Sequence, residues 1–339
     1  MANSRNARNW IILFFKLKIF IMNHTKPILF VDLLFSRHGS YEDDFKAIAK
    51  ALSGMPCEYL KINVANSVGG IFEVMRHIFS FRYTKIVFLS AKIWQLALFV
   101  PFSLFIKVYA IYHFMPNARA KFHSFMLPIL AHFFSFATYS NGVSKQLQIL
   151  MGELLPALPS RIIDKQESER ALRKKFLSSS IRVLIPGIRK DVRKFIDPVV
   201  LLSDLNRSLG AKEVKLYIQS EVVEEFSQHP QIEFIPKGLP QEEYAAIYDN
   251  SHIVALAFEE LYEVRASGII LDAIAAGCVV LSTEHPISEG YGYPRTLVCD
   301  LESIRGLMDN FMHDARFDHL IPGDGVEDFR LKWQNFLGE

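Results

Sequence analysis

The segment from Phe258 to Thr283 has the residue pattern best suited to chemistry. A strand-like run ends at Phe258, a polar loop follows, and Ser267 is a favourable N-cap for a helix from Gly268 to about Ala276. The first turn of a helix presents unpaired backbone N–H groups and the positive end of the helix dipole, an arrangement that binds phosphate. The sequence therefore predicts an anion site where this helix begins.

Side chains near this helix start add to the predicted site. Gly268 lets an anion come close to the backbone, and Arg265 offers a fork of hydrogen-bond donors. Asp272 lies one turn further along and is suited to accept hydrogen bonds from the hydroxyls of a ribose or sugar. Gly277 is predicted to end the helix in a left-handed conformation. An ordinary strand–helix–strand unit capped by Ser267 is the alternative interpretation.

Strand-like and helical runs alternate along the chain, as is typical of parallel sheets covered by helices on both faces. The predicted strands of the first series are Ile28–Leu34, Glu58–Val64, Lys85–Leu89, Val108–Tyr112 and Phe136–Tyr139. Those of the second series are Arg182–Pro186, Val214–Ile218, Ile232–Ile235, Ile253–Phe258, Val279–Ser282 and Leu297–Val298. The predicted fold class is α/β, with two Rossmann-like parallel-sheet domains.

A polar stretch separates the two series, and the 339 residues suffice for two domains. Residues 164–180 are charged and end in three serines, so they form the predicted linker. The predicted domains are 24–163 and 181–324, preceded by an apolar extension at 1–23. Residues 325–339 are predicted to form a C-terminal helix, for which we consider packing back on the first domain.

The segment from Phe258 to Thr283 resembles the donor site of GT-B glycosyltransferases of the "group 1" type. In that family a Gly-rich turn opens a helix that bears a carboxylate, and Ala, Gly and a Val-Val strand follow. The turn matches Ala266-Ser267-Gly268, and the family's second acidic residue matches Asp272, an Asp where Glu is usual. Val264 occupies the place of the family's first acidic residue, eight positions earlier, with Glu263 beside it. This departure leaves open whether transfer retains or inverts the sugar's configuration.

The resemblance implies a nucleotide-diphosphate sugar bound in a cleft between the two domains, with cations near the diphosphate. The donor-binding residues that it implies are Gly187, Arg189, Lys190, Lys237, Tyr262, Arg265, Ser267, Gly268 and Asp272. It also implies a cleft loop at His38, Gly39 and Ser40, although Ser40 with Asp43 makes an ordinary helix start. His113 follows a strand at the edge where α/β sheets place ligands. It is the implied catalytic residue, and a structural role is the alternative.

Motifs of several other enzyme classes are absent from the sequence. It has no P-loop, no Gly-x-Gly-x-x-Gly fingerprint after either opening strand, no Gly-x-Ser-x-Gly elbow, no clustered His/Cys ligands and no Asp-x-Asp unit. We therefore expect neither a metal site nor a cofactor, with the nucleotide sugar as co-substrate. The helix dipole and nearby cations would stabilise the departing nucleoside diphosphate.

Composition and cysteine spacing indicate which binding partners and which cellular compartment to expect. The formal net charge of +2 lacks the basic excess of a nucleic-acid binder, so no nucleic-acid partner is expected. Cys57, Cys278 and Cys299 are widely separated without metal-type spacing, which indicates reduced thiols in a cytoplasmic protein.

Phenylalanine is concentrated in the first domain, where 19 of the 28 lie within residues 1–150. The runs Ile93–Ile106 and Phe122–Phe136 are typical of core helices of a parallel-sheet domain. The alternative is a membrane-docking face, which the basic residues Arg76 and Arg82 upstream support. The apolar run Trp10–Met22 is too short to span a bilayer. It is either an interfacial anchor, or it precedes a biological start of the protein at Met22.

Together these patterns predict sugar transfer from a nucleotide-diphosphate sugar to an acceptor hydroxyl. The expected acceptor is a glycan or a lipid-linked molecule, as in surface polysaccharide or glycolipid assembly. The expected location is the cytoplasm, with a peripheral position on the inner face of the plasma membrane. Two alternatives stay open: a nucleotide-sugar epimerase of GT-B fold, and a non-catalytic GT-B-like binding subunit, which Val264 favours.

Overall fold

The structure is a computed structural model that describes residues 26–33, 40–62, 67–113, 120–186, 193–208, 212–220, 224–236, 238–256, 268–282 and 325–338. The chain divides into two compact units. Unit 1 comprises Met1–Tyr139, Leu147–Ser160 and Arg330–Glu339, and unit 2 comprises Ser140–Gln146 and Arg161–Phe329. No helix within these described ranges has the length and apolar content needed to cross a membrane.

Unit 1 is built on a five-stranded, all-parallel sheet with the strand order β2-β1-β3-β4-β5. Its strands are β1 (Ile28–Asp32), β2 (Cys57–Lys61), β3 (Lys85–Ser90), β4 (Lys107–Tyr112) and β5 (Ser135–Thr138). The helices along this part of the chain are α1 (Ser40–Ala51), α2 (Ser67–Phe79), α3 (Ile93–Ala97), a 3₁₀ turn (Val100–Leu104), α4 (Ala120–Ala131) and α5 (Asn141–Met151). The first part of α5, up to Gln146, belongs to unit 2. All five strands predicted for this half are present, with their ends shifted by at most three residues.

The C-terminal helix α11 (Val326–Leu337) contributes its residues from Arg330 onward to unit 1. Trp333 is fully buried, its ring lies 6.3 Å from that of Phe30, and its Nε1–H donates to the Pro159 carbonyl at 2.9 Å. The Tyr109 hydroxyl donates to the Leu337 carbonyl at 2.8 Å. The helix therefore closes the core over β1 and β4.

Register shows which layer covers each face of this sheet. Phe30, Val87 and Tyr109 are aligned across β1, β3 and β4, so their side chains share one face. That face carries α1 and α11, because Phe30 contacts both Phe45 and Trp333.

The neighbouring residues in the strands point to the other face. There Phe88 contacts Phe99, between α3 and the 3₁₀ turn, at a ring distance of 4.9 Å. Tyr112, three residues after Tyr109, meets His123 of α4. The right-handed crossover from β2 over β1 to β3 puts α2 on this second face as well. The second face is thus covered by α2, α3, the 3₁₀ turn and α4.

Unit 2 has its own all-parallel sheet with the strand order β10-β9-β6-β7-β8. Its strands are β6 (Ser180–Ile185), β7 (Glu213–Gln219), β8 (Ile232–Ile235), β9 (Ile253–Leu256) and β10 (Val279–Ser282). The helices are α6 (Lys165–Phe176), α7 (Arg193–Ser208), α8 (Glu224–Ser227), α9 (Gln241–Asn250) and α10 (Gly268–Ala275). Five of the six predicted strands are present, and the sixth, at 297–298, lies outside the described residues.

Residues 164–180 differ from the expected linker because most of them form helix α6 of unit 2. Asp164 caps the helix by accepting from the Glu167 N–H at 3.1 Å. Ser168 and Leu172 are buried, and Leu172 belongs to the unit 2 core. The sequence concealed this helix because its buried positions include a serine, which a search for apolar periodicity does not count.

Candidate active site

The predicted anion site lies at a defined place in the unit 2 sheet. The strand order reverses between β6 and β9, and in open α/β sheets ligands bind at the carboxyl ends of the strands at such a switch point. Among the described elements, helix α10 follows β9 in the chain and begins at Gly268, as predicted. Gly268 is exposed, and no atom of the described residues lies within 4 Å of the place where a Cβ would stand. Binding of an anion at this helix start stays a prediction.

The opposite end of α10 is fixed by polar contacts from α6. Ser168 Oγ donates to the Ile274 carbonyl, and Lys175 Nζ donates to the Ala276 carbonyl at 2.5 Å. Gly277 has a φ of +68°, which confirms the predicted left-handed stop, and a Cβ there would lie 2.5 Å from the Ser168 carbonyl oxygen. A cation at the negative end of the helix dipole and a tight glycine turn together hold the helix in place.

Asp272 lies one turn into α10 and is paired with Arg161. Asp272 Oδ1 is 3.5 Å from an Arg161 guanidinium nitrogen, and roughly 28–29% of each side chain is exposed. Tyr244 of α9 is close enough for both charges to influence its pKa, which burial raises most. The Tyr244 and Tyr248 hydroxyls are hydrogen-bonded at 2.7 Å. Arg161 has no motif in the sequence, and only the fold brings it to Asp272.

All of the other predicted donor-site residues lie outside the described residues. They are Gly187, Arg189, Lys190, Lys237, Tyr262, Arg265 and Ser267. In the chain the first three follow β6, which ends at Ile185, and the last two directly precede α10. The residues that follow β6 and precede α10 are thus among those predicted to bind the donor. Their roles stay predictions.

The predicted catalytic His113 follows β4 at the carboxyl edge of the unit 1 sheet. Its Nε2–H donates to the Leu89 carbonyl, since a carbonyl only accepts, and this bond fixes the orientation of the ring. The imidazole packs edge-on against Tyr41 and Tyr139, with centroid distances of 5.1 and 4.6 Å. The ring is half-buried and firmly oriented. Such an arrangement suits a histidine that positions a substrate hydroxyl.

Of the predicted cleft loop, His38 and Gly39 lie outside the described residues. Ser40 is the first residue of α1, as the alternative interpretation of this residue expected.

A polar pair at the unit 1 switch point was not anticipated from the sequence. Asp32 ends β1 and Ser90 ends β3, and both are buried. Ser90 Oγ donates to Asp32 Oδ1, which joins the two strands between which the strand order reverses. A carboxylate closing an otherwise apolar strand was the signal that could have revealed it.

The same edge is rich in carboxylates. The Tyr59 phenol has its pKa raised, first by burial and then by the charges of Asp32, Glu42 and Asp44. The Tyr59 hydroxyl oxygen is buried, and Asp32 raises the pKa of this phenol both by its charge and through a side-chain hydrogen bond. Grouped carboxylates and a phenol are suited to hydroxyl-rich ligands such as sugars. No group of three or more His, Cys, Asp or Glu side chains among the described residues is arranged to hold a metal ion.

Comparison of the backbone with solved structures identifies the fold. A glycosyltransferase from Rickettsia africae is similar at a TM-score of 0.58 and 14% identity, with 92% of this chain and 98% of that one covered. The lipopolysaccharide outer core galactosyltransferase WaaB is similar at 0.57 and 10%, with 92% and 99% covered. The UDP-GlcNAc 2-epimerase from Methanocaldococcus jannaschii is similar at 0.54 and 9%, with 92% and 100% covered.

Other solved structures of this similarity include complexes with UDP and with UDP-GlcNAc. No protein-family model matches the sequence, and no curated protein is significantly similar to it in sequence. The two parallel-sheet units and these likenesses show that the chain has the GT-B fold.

Proposed function

We propose that this GT-B-fold protein transfers a sugar from a nucleotide-diphosphate sugar to an acceptor hydroxyl. Unit 2 binds the donor and unit 1 binds the acceptor. The observation that carries the proposal is the exposed start of α10 at Gly268, the first described element after β9 at the unit 2 switch point, while the other end of the helix is held by Ser168 and Lys175. Similar structures in complex with UDP and UDP-GlcNAc support a nucleotide-sugar donor.

In this proposal the first turn of α10 binds the diphosphate through its backbone N–H groups. Arg265, Arg189 and Lys190 add positive charge as the bond between the sugar and the diphosphate breaks. Asp272 accepts hydrogen bonds from ribose or sugar hydroxyls, and Arg161, 3.5 Å away, orients its carboxylate. These cations and the helix dipole perform the role of a metal, so activity should survive EDTA. Its complete loss, reversed by Mg²⁺ or Mn²⁺, would place the protein in another glycosyltransferase class.

The acceptor side of the proposal rests on unit 1. His113 is oriented by Leu89 and by two tyrosine rings, and it positions the acceptor or the transferred sugar. Asp32 and Tyr59 lie at the same sheet edge and recognise hydroxyls. We propose a glycan or lipid-linked acceptor, used in surface polysaccharide or glycolipid assembly on the cytoplasmic face of the plasma membrane. A galactosyltransferase of lipopolysaccharide is among the similar structures, which supports this acceptor class.

Two other functions are compatible with the same fold. Epimerases of nucleotide sugars are among the similar structures. Val264, at the place of an expected acidic residue, favours a non-catalytic binding subunit. Release of nucleoside diphosphate separates the three, because transfer releases it only with acceptor, apart from slow hydrolysis. An epimerase that releases nucleoside diphosphate does so without acceptor, and a binding subunit releases no nucleoside diphosphate.

Donor binding is tested directly by a thermal-shift and calorimetric panel of UDP, GDP and ADP with their sugars. A ligand at a hundred times its Kd should stabilise the folded protein by about 2.7 kcal/mol. Arg265→Ala should weaken binding by about 1.5–3 kcal/mol, because a charge-assisted bond to phosphate is lost. Arg170→Ala is the matched control, since Arg170 is exposed on α6 of the same unit. Equal affinity of the folded Arg265→Ala protein would remove this residue from the site.

The Arg161–Asp272 pair calls for a different ligand comparison. If the thermal-shift panel identifies UDP as the ligand, Asp272→Asn should reduce the preference for UDP over 2′-deoxy-UDP, because the variant lacks the carboxylate that would accept from the ribose 2′-hydroxyl. Arg161→Gln should reduce this preference less. Glu167→Gln is the control, because Glu167 is exposed in the same unit. An unchanged preference in both variants would show that Asp272 does not contact the ribose 2′-hydroxyl.

A further inference from the structure

The second face of the unit 1 sheet has an unusual outer surface. Large hydrophobic side chains project from α2, from the connection through α3 and the 3₁₀ turn, and from α4. We call them the α2–α4 face, and they are Val68, Phe72, Phe79, Phe81, Leu98, Leu104, Phe105, Phe122, Phe125, Ile129 and Phe133. Phe72 and Phe125 are each 66% exposed. Soluble proteins rarely leave so many large apolar side chains together on one layer unless that layer meets a partner or a membrane.

These side chains form lines along their helices. On α2, Val68, Phe72, Arg76 and Phe79 are spaced by three or four residues, so they share one side of the helix. On α4, Phe122, Phe125 and Ile129 follow the same spacing. Inner positions of both helices, such as Val74 and Leu127, are fully buried. Each helix is therefore apolar on two sides, with one side in the core and the other facing out.

Contacts among α2, α3, the 3₁₀ turn and α4 join their exposed apolar side chains into one surface. The Phe79 ring meets Phe102 of the 3₁₀ turn at 5.4 Å, and Phe102 lies 6.2 Å from Phe99. Helices α3 and α4 are packed neighbours on the same sheet face. The α2–α4 face thus extends across the width of the layer, well beyond a single exposed residue.

The charges on this face are almost all positive. Residues 67–135 contain seven Lys and Arg but one acidic residue, Glu73, so the rest of the chain has a net negative formal charge. Arg76 on α2 and Lys121 on α4 are exposed, and the exposed Lys92 directly precedes α3. Arg82, which is also exposed, is paired with Glu58 at 2.8 Å. Aromatic side chains mixed with cations, without acids, fit the headgroup region of an anionic bilayer.

We propose that the α2–α4 face docks on an anionic lipid bilayer, with its aromatic side chains in the headgroup boundary and its cations on lipid phosphates. A protein partner or a second copy of the chain is less favoured, because nearly unmixed positive charge would need an equally acidic counterpart. The proposal goes beyond sugar transfer, since docking needs no nucleotide. The proposal also assigns the membrane contact to one side of unit 1. The concentration of phenylalanine in the sequence does not show which side that is.

The test uses the full chain and co-sedimentation with vesicles of phosphatidylcholine, alone or with phosphatidylglycerol. Wild-type protein should bind the anionic vesicles, and added salt should weaken the binding because exposed charges are screened. The affinity of the triple variant Phe72→Ser, Phe125→Ser, Ile129→Ser for the anionic vesicles should fall by about tenfold or more, since the inserted apolar area is lost. Arg76→Gln with Lys121→Gln should lower binding to anionic vesicles specifically.

Two matched controls separate this face from other apolar residues. Leu177→Ser with Leu201→Ser removes exposed leucines of unit 2 and should leave binding unchanged. Phe14→Ser with Phe15→Ser alters the apolar N-terminal run in the full chain and should retain most of the binding. Loss of binding in either control with full binding by the triple variant would overturn the proposal.

Other outcomes would also overturn it. They are wild-type protein that ignores anionic vesicles, wild-type protein that binds neutral vesicles equally well, and a dimer in solution that the triple variant dissociates. UDP affinity and far-UV circular dichroism of each variant show that it is folded. Wild-type protein that binds vesicles but no nucleotide would refute the proposed function and leave the docking face standing.

Discussion

Among the described residues, unit 1 exposes fourteen large hydrophobic side chains, whereas unit 2 exposes three. Both units cover a five-stranded parallel sheet with helices, so the fold does not require the difference. Unit 2 fixes its helices with buried polar contacts such as those of Ser168 and Lys175. Unit 1 relies on aromatic packing around Phe30 and Trp333. One unit is built to hold a helix end in place, and the other leaves an apolar layer available for contact.

Tryptophan fluorescence can follow the two units separately. Trp10, Trp94 and Trp333 all fall in unit 1, and the unit 2 ranges contain no tryptophan. Fluorescence therefore reports the unfolding of unit 1, and far-UV circular dichroism reports both units. Each substitution below is expected to act on one transition.

The largest effect should come from Trp333→Ala in unit 1. The side chain is fully buried against Phe30 and donates to the Pro159 carbonyl, so its loss leaves a cavity and an unpaired carbonyl. We expect the free energy of unfolding of unit 1 to fall by about 3–5 kcal/mol. Urea unfolding followed by Trp94 fluorescence measures it, with the exposed Leu331→Ala as the control. A loss no larger than in that control would mean that α11 does not stabilise unit 1.

The next largest effect concerns acid and His252 of unit 2. Burial lowers the pKa of His252 to about 4, its Nδ1 accepts from the Arg182 N–H at 3.1 Å, and its Nε2–H donates to the Lys175 carbonyl at 2.7 Å. The folded state keeps the ring neutral, while the unfolded state takes up a proton below about pH 6.5. Stability is therefore complete above pH 6.5 and falls as the pH drops towards 4, by about 2 kcal/mol at pH 5 and about 3 kcal/mol near pH 4.

His252→Asn tests this acid effect, because its amide keeps one acceptor and one donor but does not titrate. Urea unfolding followed by circular dichroism at pH 7 and pH 5 should show the smaller loss in the variant. An equal loss in wild-type protein and variant would assign the acid sensitivity to other groups. The fluorescence transition of unit 1 provides the internal control.

Gly277→Ala should have a smaller effect, again on unit 2. The positive φ and the 2.5 Å approach of the new Cβ to the Ser168 carbonyl should cost about 2 kcal/mol. Gly152→Ala is the matched control in unit 1, where φ is +76° but no atom lies within 4 Å of the Cβ position. Thermal unfolding should show the larger loss for Gly277. If the two substitutions cost the same, close packing of α6 against the turn is not what restrains α10.

The smallest effect on stability should come from the α2–α4 face. Phe72→Ser and Phe125→Ser should each change the free energy of unfolding of unit 1 by less than about 0.5 kcal/mol, because both rings are mostly exposed. The buried Leu127→Ser in the same helix is the contrast and should be strongly destabilising. A large loss in the Phe variants, measured by fluorescence, would make this surface part of the folded core and remove its availability for a membrane.

Much of the architecture could be predicted from the sequence, because strand and helix signals are local. Ten of the eleven predicted strands are present, and the eleventh lies outside the described residues. The start of α10 at Gly268 and its stop at Gly277 were also predictable, since a cap and a left-handed glycine depend only on neighbouring residues. Helix α6 was missed because its inner side is partly polar and pairs with α10, about a hundred residues away.

The sequence by itself determined that two parallel-sheet halves exist, where helix α10 begins, and that aromatic residues and cations are concentrated in one half. Only the tertiary structure decided which distant residues meet. It brought Arg161 to Asp272 and joined Asp32 to Ser90 across a sheet. It also decided which phenylalanines are core and which face out, because Phe88 and Phe72 have the same chemistry and differ only in what their elements pack against. Burial is a property of packed elements, and no local run of residues specifies it.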